Sequence, residues 1–142
     1  MREDELTNAV IREWLVKAEN DLKNAVHTLK MGEDCPTDTV CFHAQQCAEK
    51  YLKALLVMLR SDFPKTHNIE DLLALVPEDL LPELPPEDQD RLTEYATITR
   101  YPGDYEEIPL IEARRAVTLA RRVRSHVRKL LPKNVVRWRR SR

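Results

Sequence analysis

The sequence predicts an all-α protein, an antiparallel four-helix bundle with an additional short connecting helix, and three observations predict it. Apolar residues recur at three- and four-residue spacing rather than in alternation. Aromatic residues are scarce at 6%, whereas charged residues make up 33%, a balance typical of amphipathic helices with one solvated face. Only two glycines, Gly32 and Gly103, occur in 142 residues, so prolines mark most of the turns. A Walker phosphate loop and a dinucleotide-binding turn each need several glycines and are excluded. With 42% hydrophobic residues the length suits one domain with a full core.

Leu6, Val10, Trp14, Ala18, Leu22, Ala25, Val26 and Leu29 share one helical face, predicting a first helix over about residues 5–30 that ends near Gly32. After a turn at Pro36, a second helix over about 37–60 carries Val40, Ala44, Cys47, Ala48, Tyr51, Leu55 and Leu59 on a wide apolar face. Thr66 and Asn68 offer caps to a short helix over about 69–76. Pro77, Pro82, Pro85 and Pro86 forbid a continuous helix there, and Pro86 with Glu87 and Asp88 begins another over about 86–99. Pro102 and Gly103 break the chain again, and the last helix runs over about 110–131 until Pro132. Residues 1–132 are expected to form the bundle and 133–142 a basic tail without a core face, mobile unless a partner orders it.

The formal net charge of −1 hides a segregation. Between positions 62 and 90 nine carboxylates face the single cation Lys65, whereas from 110 to 142 twelve cations face Glu112 alone. A field of the second kind attracts phosphate. The competing expectation is that the acidic segment, of the same chain or a neighbouring one, neutralises it. The charged N-terminus has no apolar signal segment, and the three cysteines Cys35, Cys41 and Cys47 suggest a reduced, cytoplasmic protein. The longest apolar run, near residues 52–59, falls far short of the roughly 20 residues that cross a bilayer. His43 and Cys47 are four apart, but no second compact ligand pair accompanies them, so neither a metal nor another cofactor is expected.

On a helical wheel His43, Gln46, Lys50 and Lys53 fall within about 80° of one another, opposite the apolar arc of the second helix. An imidazole, an amide and two ammonium groups suit a phosphate or a nucleobase edge, and they equally suit a plain solvated face.

The string Phe42-His43-Ala44-Gln45-Gln46-Cys47-Ala48-Glu49-Lys50-Tyr51-Leu52-Lys53-Ala54-Leu55-Leu56 resembles the signature helix of HEPN domains, the "higher eukaryotes and prokaryotes nucleotide-binding" family. Residues 14–25, with Ala18 and Asp21-Leu22, are similar to that family's first helix. Lys65-Thr66-His67-Asn68 resembles its inter-helix His motif, and Thr99-Arg100-Tyr101-Pro102 its Arg-Tyr-Pro turn. The resemblance covers about residues 14–131, nearly everything but the tail. It implies a small helical homodimer that binds a nucleotide or RNA and is often encoded beside a minimal nucleotidyltransferase in toxin–antitoxin or defence modules. Some members are metal-independent ribonucleases that use an Arg, four to six residues, then a His.

Two segments have that spacing, Arg121 to His126 and Arg60 to His67. In such an enzyme the imidazole moves a proton at the ribose 2′-hydroxyl or leaving oxygen and the guanidinium stabilises the transition state. Five residues turn a helix by about 140°, so Arg121 and His126 need a second subunit to converge. Both also make sense as ordinary surface side chains. His67 fits the inter-helix motif better than a pair with Arg60. Arg100, Tyr101 and Tyr105 form another candidate, a guanidinium for phosphate and phenol rings for stacking, unless Tyr101 packs into the bundle end. Three functions remain: a nucleotide- or RNA-binding protein with a nucleotidyltransferase partner, an endoribonuclease toxin, and a partner-docking module. If the first holds, His43, Lys50, His67 and Arg100 should converge.

Overall fold

A computed structural model describes residues 2–97 and 106–137. Its helices are α1 (Glu3–Leu29), α2 (Thr37–Met58), α3 (Ile69–Leu73), α4 (Pro86–Tyr95), α5 (Leu110–Leu130) and α6 (Lys133–Val136), with 3-10 turns at Gly32–Asp34 and Glu78–Leu80. The described residues contain no strand. Pairing across the helices sets their directions. Glu3 meets Arg60 and Asp21 meets His43, so α1 and α2 are antiparallel. Asp88 meets Arg115 while Arg91 meets Glu112, so α4 and α5 are antiparallel, and Glu19 ties α1 to Arg124 of α5. The bundle is therefore the expected antiparallel one, with α3 packed as the connector.

The core is built around α2, which buries residues on nearly every side, including Tyr51, Leu52, Leu55 and Leu56. Ala18 and Ala25 of α1 and Ala113, Ala116 and Ala120 of α5 present small side chains to it, letting the axes approach closely. The apolar arc of α5 is thus consumed within the chain. Among the described residues no helix is long and apolar enough to cross a membrane.

The helix expected over about 86–99 ends at Tyr95, and four further details depart from the sequence reading. The buried stripe of α1 is Ile11, Leu15, Ala18, Leu22 and Ala25, while Leu6 (53% exposed) and Val10 (43%) lie outside it. The antiparallel register explains this: the first turns of α1 lie beside the end of α2, where Arg60 reaches across to Glu3 and Asp4. Second, α2 stops at Met58 because Arg60 turns left-handed (φ 57°), and the Ser61 amide closes the end by donating to the Leu56 carbonyl at 3.0 Å. Third, α3 is shorter than expected, yet Val76 beyond it still reaches the core.

The fourth is at the C-terminus, where the expected tail without a core face instead begins as α6. Pro132 caps it as a helix start, Val135 is 1% exposed in the core, and Val136 packs against the same cluster. Residues 138–142 lie outside the described part. Burial of this magnitude predicts that Val135→Ala costs about 1–3 kcal/mol. Urea unfolding followed by circular dichroism should therefore show a lower midpoint, and an unchanged midpoint would place residue 135 in solvent.

Candidate functional site

Two carboxylates sit in the seam between α1 and α2, and each gathers an imidazole and an ammonium group. Asp21 of α1 accepts from His43 Nδ1 on one oxygen at 2.8 Å and from Lys50 on the other. Glu49, 2% exposed on α2, accepts from His67 Nδ1 at 2.8 Å on Oε1 and from Lys53 Nζ at 3.0 Å on Oε2. Gln45 Nε2 donates to Glu49 Oε1 at 3.2 Å and to the His67 carbonyl at 3.0 Å, which fastens the loop before α3 to α2. Gln46 Nε2 donates to Gln45 Oε1 at 2.6 Å and reaches Glu49 Oε1 at 3.5 Å.

The stripe of His43, Gln46, Lys50 and Lys53 is therefore neither opposite the core nor plainly solvated. Lys53 lies under the ring of Trp14, its Nζ 5.5 Å from the ring centroid, and it neutralises Glu49 in a buried pair. His43 and Lys50 are half-buried on Asp21, and His67 is the open member with 56% of its side chain exposed. Because an ionised carboxylate can only accept, both imidazoles donate through Nδ1, and Nε2 of each makes no hydrogen bond among the described residues. Sequence reasoning left out Asp21, Gln45 and Glu49 as site members. The available signals were an acid next to the buried stripe of α1 and the Glu49/Lys53 spacing of four.

The second pair is held apart from this face. His126 Nε2 donates to the Leu80 carbonyl at 2.6 Å, which ties α5 to the turn at Glu78–Leu80, while Arg121 is exposed. Arg60 points to Glu3 and Asp4, and His67 to Glu49, so these two have different partners. Arg100, Tyr101 and Tyr105 lie outside the described residues.

The basic helix is partly neutralised within the chain, and the two expectations about it divide by residue. Arg115 meets Asp88, Arg124 and Arg128 meet Glu19, and Arg122 donates to the Glu83 carbonyl. Arg114, Arg121 and Lys129 are exposed, with no carboxylate in ion-pair reach among the described residues. Burial alone would raise the Glu19 carboxyl, but the hydrogen bonds and charge of Arg124, with Tyr51 and Arg128 adding to them, hold it below its ordinary value. Burial, with the charges of neighbouring acids, pushes the Cys41 and Cys47 thiols up to about 12, so at neutral pH they are small hydrophobes and not nucleophiles. Among the described residues no group of three His, Cys, Asp or Glu side chains has the geometry to hold a metal ion.

Comparison with known proteins places this arrangement in context. The family model described as HEPN domain matches residues 11–130. The crystal structure of TT1696 from Thermus thermophilus is similar, with 33% identity, a TM-score of 0.67, and coverage of 85% of this chain and 98% of that one. The crystal structure of ST0689, an archaeal HEPN homologue, is 28% identical with a TM-score of 0.65 and covers 84% of this chain and 96% of its own. No curated protein matches the chain significantly.

The lowered Glu19 carboxyl links stability to pH with a definite sign. A depressed carboxylate contributes stability that is present above its unfolded value and lost as pH falls through its folded value. Glu19→Gln should therefore narrow the stability difference between pH 7 and acid below about pH 4. Chemical unfolding at both pH values checks this, and an unchanged difference would count against the ion pairs with Arg124 and Arg128.

Proposed function

This chain belongs to the HEPN domain family, and we propose that within it the protein is a nucleotide- or RNA-binding module whose binding face is centred on His43, Gln46, Lys50 and His67. The observation that carries the reading is the pair of carboxylate-held imidazoles, His43 on Asp21 together with Lys50 and His67 on Glu49. Each imidazole is fixed through Nδ1 and keeps Nε2 for a ligand, and Lys50 supplies a positive charge for phosphate. Lys53 belongs to the face as the counter-charge of Glu49. The exposed row of Arg114, Arg121 and Lys129 offers further attraction to a polyanion. Arg100, Tyr101 and Tyr105 are further proposed members of the site on their chemistry, a guanidinium for phosphate and phenol rings for stacking. The same resemblance supports a homodimer and a minimal nucleotidyltransferase as partner in a toxin–antitoxin or defence module, and the odd number of cysteines supports a reduced, cytoplasmic setting.

An endoribonuclease acting through Arg121 and His126 receives less support from the geometry. His126 already spends Nε2 on a backbone carbonyl, leaving Nδ1 as the nitrogen for proton transfer. A docking module without a ligand has no specific observation in its favour.

Fluorescence anisotropy of a labelled single-stranded RNA at fixed low salt tests the binding face. Lys50→Ala is expected to weaken binding about tenfold, a loss typical of one charge-assisted contact. Equal affinity of Lys50→Ala and the wild type would place the ligand elsewhere. RNA incubated without metal is expected to stay intact. Cleavage by the wild type that disappears in Arg121→Ala or His126→Ala would replace the binding reading with the endoribonuclease one.

A further inference from the structure

We infer that the flank formed by α5 and the acidic stretch of residues 78–90 is a self-complementary docking surface for a second copy of this chain. Arg114 and Arg121 of each copy meet Glu87 and Glu83 of the other about a two-fold axis parallel to α5. The inference goes beyond the homodimer and the binding face proposed above, because it names the surface and its symmetry, and it uses no residue of the α2 face.

The acidic stretch lies along α5 in a fixed register. Arg115 meets Asp88 at 3.0 Å, Arg122 donates to the Glu83 carbonyl at 3.4 Å, and His126 donates to the Leu80 carbonyl at 2.6 Å. The stretch therefore runs antiparallel to the helix, and each contact sets which residues stand at one level. Beside these contacts, charged side chains are left over. Arg114 and Arg121 immediately precede the two arginines that are spent, and Glu87 and Glu83 stand at the same two levels. All four are exposed and form no ion pair among the described residues. Positions 114 and 121 lie about 100° round the helix from 115 and 122. Cations thus run along one side of the exposed face of α5 and carboxylates along the other, with the helix itself between them.

Two parallel strips of opposite charge select the symmetry of their own pairing. A two-fold axis across the strips lays cation on cation and acid on acid, whereas an axis parallel to them exchanges the strips, so that the cations of each copy cover the carboxylates of the other. Because a parallel axis preserves level, Arg114 arrives at Glu87 and Arg121 at Glu83. The same operation sets α5 beside its copy, and the line between the strips suits that contact. Ile111, Thr118 and Ser125 recur every seven residues and stay within about 40° of one another on the exposed face. Ile111, at 77% exposure, is the most exposed large apolar side chain among the described residues. Thr118 spends its hydroxyl on the Arg114 carbonyl at 3.1 Å and needs no partner across the axis. A polyanion is drawn to the same arginines, but it offers nothing to the carboxylates, and a second copy satisfies both strips at once.

Sedimentation velocity of nuclease-treated protein tests the surface. The wild type is expected to be a dimer at about 0.05 M salt and to dissociate about tenfold more readily at about 0.5 M, where exposed charges are screened. Arg114→Glu with Arg121→Glu, and separately Glu83→Lys with Glu87→Lys, should each give a monomer with unchanged circular dichroism. Mixed in equal amounts, the two double variants should pair with each other. Glu5→Lys with Glu13→Lys makes the same charge change on exposed residues of α1; it should stay a homodimer and fail to pair with the arginine variant. Thr118→Cys and Ser125→Cys should each form a disulfide-linked dimer on mild oxidation, because residues along a parallel axis meet their own copies and the native cysteines are buried. A monomeric wild type, a dimer insensitive to salt, or one that survives either charge reversal would overturn the inference. So would a mixture that pairs no better than the α1 control, or cross-linking at fewer than both cysteine positions. A dimer that appears only when RNA is added would overturn it as well and give the two arginines to a polyanion.

Discussion

A carboxylate at 2% exposure is tolerable only with its charge balanced and its lone pairs filled, and Glu49 sets this requirement at the centre of the bundle. Its solution recruits four donors from two parts of the chain: Lys53, Gln45 and Gln46 from α2, and His67 from the loop before α3. The loop therefore cannot drift from α2 without stripping a partner from a buried charge. Desolvating an unpaired ion costs several kcal/mol, and Lys53 keeps Glu49 from being one, so His67 adds a donor to a buried charge that is already balanced. Trp14 completes the arrangement by covering Lys53. Fold and candidate site share the same contacts here.

Charge is handled differently on α5, where the sequence places cations on several sides of one helix. Those that turn toward α1 or α4 find carboxylates: Arg124 and Arg128 reach Glu19, and Arg115 reaches Asp88. Those that turn away, such as Arg114, Arg121 and Lys129, remain in solvent. Net charge along the chain thus overstates the field that a ligand would meet, because Glu19 of α1 and Asp88 of α4 each offset cations of the basic helix. The local remainder is what could attract phosphate, and its screening by salt follows from its exposure.

Helix periodicity was legible because each long element has a face that must be buried, and prolines and Gly32 mark where the elements end. Phase was less legible. On α1 two apolar stripes compete, and Leu6, Val10 and Trp14 look as good in sequence as Ile11 and Leu15. The choice between them depends on where α2 lies, which no local pattern encodes. Val135 was hidden for a similar reason, since a four-residue helix offers too few positions to show a period. At the site, the donors His43, Gln46, Lys50 and Lys53 could be read from their spacing on α2. Their acceptors could not all be: Asp21 is far away in sequence, and Glu49 looks like a surface acid until the loop folds over it.

The number of donors on each carboxylate bears on how a site of this kind can work at all. If Lys50 turned from Asp21 toward a phosphate, Asp21 would still keep the hydrogen bond from His43. If His67 pivoted on its loop, Glu49 would still keep Lys53 and both glutamines. No single ligand contact has to leave a buried charge bare, so the desolvation penalty that makes buried ion pairs costly to break is spread over several partners. Lys53 lacks that freedom. Among the described residues it is the one Lys or Arg paired with Glu49 and it lies beneath an indole, so drawing it toward a ligand would take the ammonium group from a buried acid. The division between side chains that can answer a ligand and those that must stay is therefore set by charge balance. Position on the helical wheel does not reveal it, because Lys50 and Lys53 lie on the same stripe and have opposite roles.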